Sequence, residues 1–188
     1  MCDHRRIDHI LRMISVLGGN RLLITIDGPC GSGKSTLAAQ LAEATGAPIV
    51  HMDDYVIPHA QKTAERLAIP GGNADAERLL GEVIHPWLAG EKACVRPYLC
   101  HEDRYADAQP LPDTRLLILE GTYSNLPAVA SHAALRLFLT IEADVQQQRL
   151  LRRVGAERLV AFNERWIPLE NAYFTAYGLP DAGCTVVG

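Results

Sequence analysis

Several runs of this chain are apolar at nearly every position, and between them the apolar residues recur every three or four places. Arg21-Leu-Leu-Ile-Thr-Ile-Asp27, Pro48-Ile-Val-His-Met52, Arg115-Leu-Leu-Ile-Leu-Glu120 and Leu135-Arg-Leu-Phe-Leu-Thr-Ile141 have the continuous apolar character of strands covered on both faces, and Cys184-Thr-Val-Val187 adds a last one. Ile7, Ile10, Leu11, Ile14 and Leu17 lie at helical spacing ahead of the first strand. Leu37, Ala38, Leu41, Ala42 and Ala44 form a second helix, stopped by Gly46 and Pro48. Ala76, Leu79, Leu80, Val83, Ile84 and Trp87 predict a third, capped by Asn73 and ending near Gly90. Two more are expected, over Glu142 to Arg153 and over Ala156 to Tyr177, with a break near Pro168. Strands alternating with helices predict an α/β fold, a three-layer sandwich around a parallel sheet of about five strands.

The remaining stretches read as additions to that frame. Residues 56–75 are interrupted by Pro58, Pro70, Gly71 and Gly72 around a helical piece, Gln61 to Ile69, and suggest a flap. Lys92 to Tyr105 is strand-like but broken by Pro97, which suits an irregular hairpin outside the main sheet. A loop or short helix is expected around Ser124 to Ser131.

With 188 residues, the chain has room for one sizeable core, so residues 1–188 are taken as one domain, with flap and hairpin at about 56–110 and a lid at about 149–165. A net charge of −4 argues against a general nucleic-acid surface. Charges every few residues at the N-terminus break up any signal-peptide core, and no run approaches membrane-spanning length. Five cysteines scattered at 2, 30, 94, 100 and 184 have neither disulfide density nor metal-ligand spacing, which predicts reduced thiols in a cytoplasm.

Gly28-Pro-Cys-Gly-Ser-Gly-Lys-Ser-Thr36 fits the phosphate-loop pattern G-x-x-x-x-G-K-[ST], and it leaves a strand and enters a helix as that loop must. Gly28, Gly31 and Gly33 allow close backbone approach, so N–H groups from Gly28 through Ser32 to Thr36 can converge on phosphates at a helix N-terminus. Lys34 supplies a charge for the β- and γ-phosphates, and the Ser35 hydroxyl is placed to hold Mg²⁺. The loop thus predicts ATP and Mg²⁺ as ligands. Cys30 lies in this loop beside a helix N-terminus, where a lowered thiol pKa is expected.

Two strands end in carboxylates, at Asp53-Asp54-Tyr55 and at Glu120, where open α/β sheets bind ligands. If both strands flank the first, these acids converge on the γ-phosphate, Glu120 helping to hold Mg²⁺ directly or through water and Asp53 acting as base for an acceptor hydroxyl, with Asp54 either orienting that acceptor or helping to bind the metal through water. Arg149, Arg152 and Arg153 share a helical face and could close over phosphates, Arg149 and Arg153 being the expected catalytic pair.

These features resemble the uridine kinase-like branch of small-molecule phosphate-loop kinases, related to uridine-cytidine kinase, phosphoribulokinase, pantothenate kinase and nicotinamide riboside kinase. The resemblance rests on Gly28 to Thr36, His51 to Tyr55, Arg96 to His101, Leu119 to Tyr123 and Trp166 to Phe174. It implies phosphoryl transfer from ATP to a small-molecule hydroxyl, first of all the 5′-hydroxyl of a nucleoside such as uridine or cytidine, with Asp53 as the base. It also implies a substrate pocket of Asp53, Asp54, Tyr55, Tyr98, His101 and Arg104. The Tyr-to-His spacing in the hairpin is shorter than in uridine-cytidine kinases, and the lid continues as Val154-Gly-Ala-Glu instead of a longer arginine series. Nicotinamide riboside or pantothenate as acceptor, or a regulatory NTPase without an acceptor, are the alternatives; against the last, the chain has no Asn-Lys-x-Asp motif for reading guanine.

Overall fold

All six residues of the strand Leu22–Asp27 are buried, as the centre of a sheet with helices on both faces requires. The computed structural model describes residues 2–187 and begins with helix α1 (Cys2–Ser15), followed by that strand, β1 (Leu22–Asp27), and by α2 (Lys34–Thr45) and β2 (Ile49–His51). A single 3₁₀ turn, Met52–Asp54, ends β2; a second, His59–Gln61, precedes the short α3 (Ala64–Ala68). Next comes a helix built from α4 (Ala76–Leu79), a π-helical stretch Leu80–Ile84 and α5 (His85–Ala89). The short strands β3 (Cys94–Val95), β4 (Tyr98–Leu99), β5 (Arg104–Tyr105) and β6 (Gln109–Pro110) lead to β7 (Leu116–Glu120), α6 (Pro127–Ala130) and β8 (Ala133–Leu139). The chain finishes with α7 (Ala143–Ala161), a π-helical stretch Phe162–Trp166, α8 (Ile167–Ala176) and β9 (Cys184–Val187). No helix among the described residues is long and apolar enough to cross a membrane.

The main sheet is parallel, in the order β2-β7-β1-β8-β9. This is the expected five-stranded α/β architecture, with one correction. The strand ending in Asp53 does not flank β1; β7 and β8 do, and β2 pairs with the outer side of β7. Burial accounts for the order: β7 is buried at four of five positions and suits the interior, whereas β2 has three residues and an exposed His51, as an edge strand can. The register still brings the acids to one edge, because Glu120 lies beside both Ile26 and His51.

Alternating strand side chains divide between two cores. Leu23, Leu117, Leu119 and Val50 pack on one face with Leu79, Val83, Ile84, Trp87 and Tyr173. Ile24, Ile26, Ile118, Leu137 and Leu139 pack on the other with Ile10 and Ile14 of α1 and Leu37, Ala38 and Leu41 of α2. Burying each of these larger aliphatic side chains contributes about 1.5–3 kcal/mol, so α1 is anchored by the face that its apolar spacing predicts.

One boundary differs from expectation. Asp75, rather than Asn73, caps the third helix: its side chain accepts from Arg78 N at 3.2 Å, while Asn73 O is used by Ile57 N at 3.1 Å. The last helices part as expected: Gly155, with φ 80° and ψ 167° outside the helical region, falls between the two predicted stretches, and Pro168 sits in the first turn of the final segment, α8, where its missing N–H costs nothing. The hairpin forms outside the main sheet as expected, through the antiparallel pairs β3–β6 and β4–β5.

Candidate active site

The phosphate loop takes the backbone path that its glycines permit. Gly28, Gly31 and Gly33 have φ of 135°, 78° and 104°. At Gly28 a β-carbon would lie 2.3 Å from Leu139 O, so the loop can pass β8 only without a side chain. Lys34 is nearly buried and folds back along the loop, its Nζ donating to Gly28 O at 2.8 Å and Pro29 O at 3.0 Å. Ser32 Oγ is buried in the loop with no hydrogen-bond partner among the described residues, a polar atom that a phosphate oxygen would satisfy.

Across from the loop, Ser35 Oγ donates to Glu120 Oε2 at 3.2 Å and Oε1 at 3.3 Å. His51 Nδ1 lies 2.6 Å from Glu120 Oε1, and this hydrogen bond raises the His51 pKa above its ordinary value. Hard oxygen donors in this number suit Mg²⁺, which takes one or two protein ligands and completes its shell with water and phosphate. Among the described residues there is no larger cluster of metal-binding side chains. The loop geometry, the unsatisfied Ser32 hydroxyl and the Ser35–Glu120 pair thus fit a magnesium–nucleotide complex.

Ser32, Lys34, Ser35 and Glu120 line a cleft of about 960 Å³. Asp53 lines it from the turn after β2, and so does Tyr55, which is fully buried under the Arg78 guanidinium at 4.2 Å and whose phenol burial pushes up to about 12. Arg149 and Arg153 of α7 line it too. Arg149 Nη1 donates to Gly31 O at 3.1 Å and Ser32 O at 3.4 Å, while Arg153 stands 5.7 Å from the Phe162 ring centre. Arg152 is exposed and not part of the lining.

Four expected substrate residues do not reach the cleft. Asp54 is partly buried behind the turn, its carboxyl raised by that burial. Tyr98 is buried in the hairpin, its hydroxyl donating to Asp103 and accepting from His59 N at 3.2 Å. His101 is exposed, and Arg104 pairs with Glu102 at 2.6 Å. Asn73, Thr122, Tyr123, Trp166 and Glu170 line the cleft instead.

Two buried carboxylates that were not among the expected site residues brace the loop from below. Asp27, with no exposed surface, accepts from Gly28 N at 2.7 Å, Asn125 N at 2.8 Å and the Tyr173 hydroxyl at 2.8 Å, and burial raises its pKa to about 6. Glu170 accepts from Cys30 N at 2.9 Å and Thr122 Oγ1 at 3.1 Å, while Gln146 Nε2 donates to Cys30 O at 2.9 Å. Asp27 is visible in the sequence as an acid closing an apolar strand, and Glu170 and Tyr173 lie three apart in the Trp166 to Phe174 stretch that carries the resemblance, but neither signal says that they meet the loop. The same bracing overturns the expectation for Cys30. Its thiol is buried and faces the Glu170 carboxylate, so burial first and that charge second push its pKa up to about 12.

No family model matches the sequence. The chain is 26% identical over 144 residues to the tRNA-specific adenosine deaminase subunit tad2 of Schizosaccharomyces pombe, an alignment spanning 72% of this chain but only 34% of that protein, so the chain spans about a third of that relative's length. It is 28% identical over 166 residues to a cytidylate kinase of Granulibacter bethesdensis, covering 80% of this chain and 76% of the kinase. Among solved structures, a candidate uridine kinase from Bacillus stearothermophilus superposes with a TM-score of 0.75 at 20% identity over 100% of both chains. A candidate fructose transport system kinase from Silicibacter sp. TM1040 superposes with a TM-score of 0.70 at 21% identity over 97% of each. The chain has the fold of the uridine kinase-like phosphate-loop kinases.

Proposed function

We propose that this protein is an ATP-dependent phosphotransferase that moves the γ-phosphoryl group of MgATP to a hydroxyl of a small metabolite, with the 5′-hydroxyl of a nucleoside such as uridine or cytidine as first choice. The observation that carries the reading is the placement of Asp53 on the same cleft as the phosphate loop and the Ser35–Glu120 pair. Phosphoryl transfer needs alignment, charge stabilisation and a base for the acceptor proton, and these residues supply all three.

In this reading the loop N–H groups hold the β- and γ-phosphates and Lys34 turns its ammonium from the loop carbonyls to them. Ser35 and Glu120 hold Mg²⁺, which when bound neutralises charge on the phosphate oxygens. Arg149 and Arg153 offset charge on the equatorial oxygens. Asp53 takes the proton of the acceptor hydroxyl, and its exposed carboxylate on the cleft can be reached by that hydroxyl. The flap and hairpin, about residues 56–110, and the lid, about 149–165, are read as parts of one domain that cover acceptor and donor.

A second reading takes a sugar hydroxyl as acceptor. It is favoured by the hairpin, where the Tyr98 hydroxyl is closed on Asp103 and Tyr98, His101 and Arg104 stay out of the cleft lining that a nucleobase would need. Nicotinamide riboside and pantothenate stay within the same class.

The test incubates wild type and Asp53→Asn with MgATP across a panel of nucleosides, sugars and vitamins, following ADP and the site of the transferred phosphate. A kinase forms a phosphorylated acceptor, and Asp53→Asn lowers transfer by about 10²–10⁴ with nucleotide affinity kept. Recovery of all the phosphate as inorganic phosphate across the panel would instead point to an NTPase and end the kinase proposal.

A further inference from the structure

We infer that Arg6, on the N-terminal helix, binds the polyphosphate of the nucleotide and completes the donor site together with the lid arginines. The inference rests on the nucleotide reading given above and adds to it an element outside the phosphate-loop motif.

The placement of Arg6 follows from how α1 is fastened. Ile10 and Ile14, 1% and 6% exposed, lock the helix into the core that holds Leu37, Ala38 and Leu41 of α2. Just past its C-terminal end, Arg115 donates to Leu17 O at 2.9 Å and Gly19 O at 3.2 Å, and Arg115 immediately precedes β7. That end of the helix therefore lies at the edge of the sheet where strands begin, and the other end lies toward the edge where they finish and the phosphate loop starts. The lengths agree: the nine steps from Arg6 to Ser15 rise about 14 Å in a helix, and the six residues of β1 span about 20 Å. A long arginine side chain can close the difference.

Arg6 is partly buried and lines the cleft with Ser35, Thr36, Arg149 and Arg153, whereas Arg5 beside it is exposed. A nucleoside triphosphate brings several negative charges into this space, and the cations facing it come from three separate elements: Lys34 from the loop, Arg149 and Arg153 from α7, and Arg6 from α1. Guanidinium is the side chain best matched to phosphate, because its planar fork can bond two oxygens at once.

The experiment measures equilibrium binding of a non-hydrolysable ATP analogue and of inorganic tripolyphosphate, both with Mg²⁺, to wild type, Arg6→Ala, Arg6→Lys and Arg5→Ala, with thermal melts in the absence of ligand to establish folding. Loss of a charged hydrogen-bonding pair should weaken both ligands by about tenfold or more in Arg6→Ala. Arg6→Lys should recover part of that loss, since it keeps the charge without the fork, and Arg5→Ala should bind as wild type does. Unchanged affinity of folded Arg6→Ala for both ligands would overturn the inference, and so would weakening confined to the ATP analogue, which would assign Arg6 to the base or ribose. Wild type that is folded yet binds neither ligand would instead refute the nucleotide reading, and the role of Arg6 with it.

Discussion

Asp27 makes a pH-dependent contribution to stability whose sign is opposite to that of an ordinary paired carboxylate. It is fully buried, and desolvation raises its pKa from 3.8 to about 6 despite three hydrogen bonds and the nearby Lys34 charge. A carboxyl whose pKa is higher in the folded state binds its proton more tightly there, so folding is favoured below about pH 4 and the advantage is lost as pH rises through 6. A rise of about two pH units, at ~1.4 kcal/mol for each, puts the loss near 3 kcal/mol. Asp27→Asn cannot titrate. The substitution leaves one donor among Gly28 N, Asn125 N and the Tyr173 hydroxyl facing an amide NH₂, at a cost of about 1–3 kcal/mol that does not vary with pH. Denaturant unfolding of wild type and Asp27→Asn, in the absence of nucleotide, between pH 4 and 7.5 separates the two effects. The offset between the proteins reports the lost hydrogen bond, and the change in that offset with pH reports the titration. Wild type should lose about 3 kcal/mol relative to the variant from pH 4 to 7. A constant difference across that range would refute the account of Asp27 as a buried acid held against its own charge.

Lys34→Ala should fold and should lower phosphoryl transfer by about a hundredfold or more, because it removes a charge placed to follow the migrating group; near-normal turnover of a folded variant would count against the phosphate-loop assignment. Cys30 should label with a thiol reagent at pH 7.5 far more slowly than a free thiol, because burial and the Glu170 carboxylate hold its pKa near 12. Peptide mapping of Glu170→Gln should show faster labelling at Cys30, and equal rates in the two proteins would rule out that carboxylate as a contributor. Gly28→Ala should abolish binding of the ATP analogue, since a β-carbon there meets Leu139 O at 2.3 Å; retained affinity would mean that the loop can follow another path.

What the sequence by itself determined was whatever is written in short-range spacing. The phosphate loop is such a feature: a few positions in a row prescribe glycine conformations, a lysine and a hydroxyl, and the structure realises each one. Apolar runs and helical periodicity likewise predicted the strands and the helices, because burial on one or two faces leaves a pattern within a dozen residues. Tertiary structure decided what depends on residues far apart. Sequence order does not say which strand pairs with β1, and β7 takes that place over β2 because its side chains can be buried on both faces. Nor does it show that Asp27 meets Tyr173 across 146 positions, or that Glu170 meets Cys30 N across 140. Those contacts turn a strand-end acid into a brace for the loop and a thiol expected to be reactive into an inert one. The hairpin makes the same point from the other side: Tyr98, His101 and Arg104 carry the right chemistry for a ligand, but their partners are Asp103, solvent and Glu102, and the cleft is lined by other residues. Proximity in space sets desolvation and charge, and these, more than residue type, decide what an ionisable group can do.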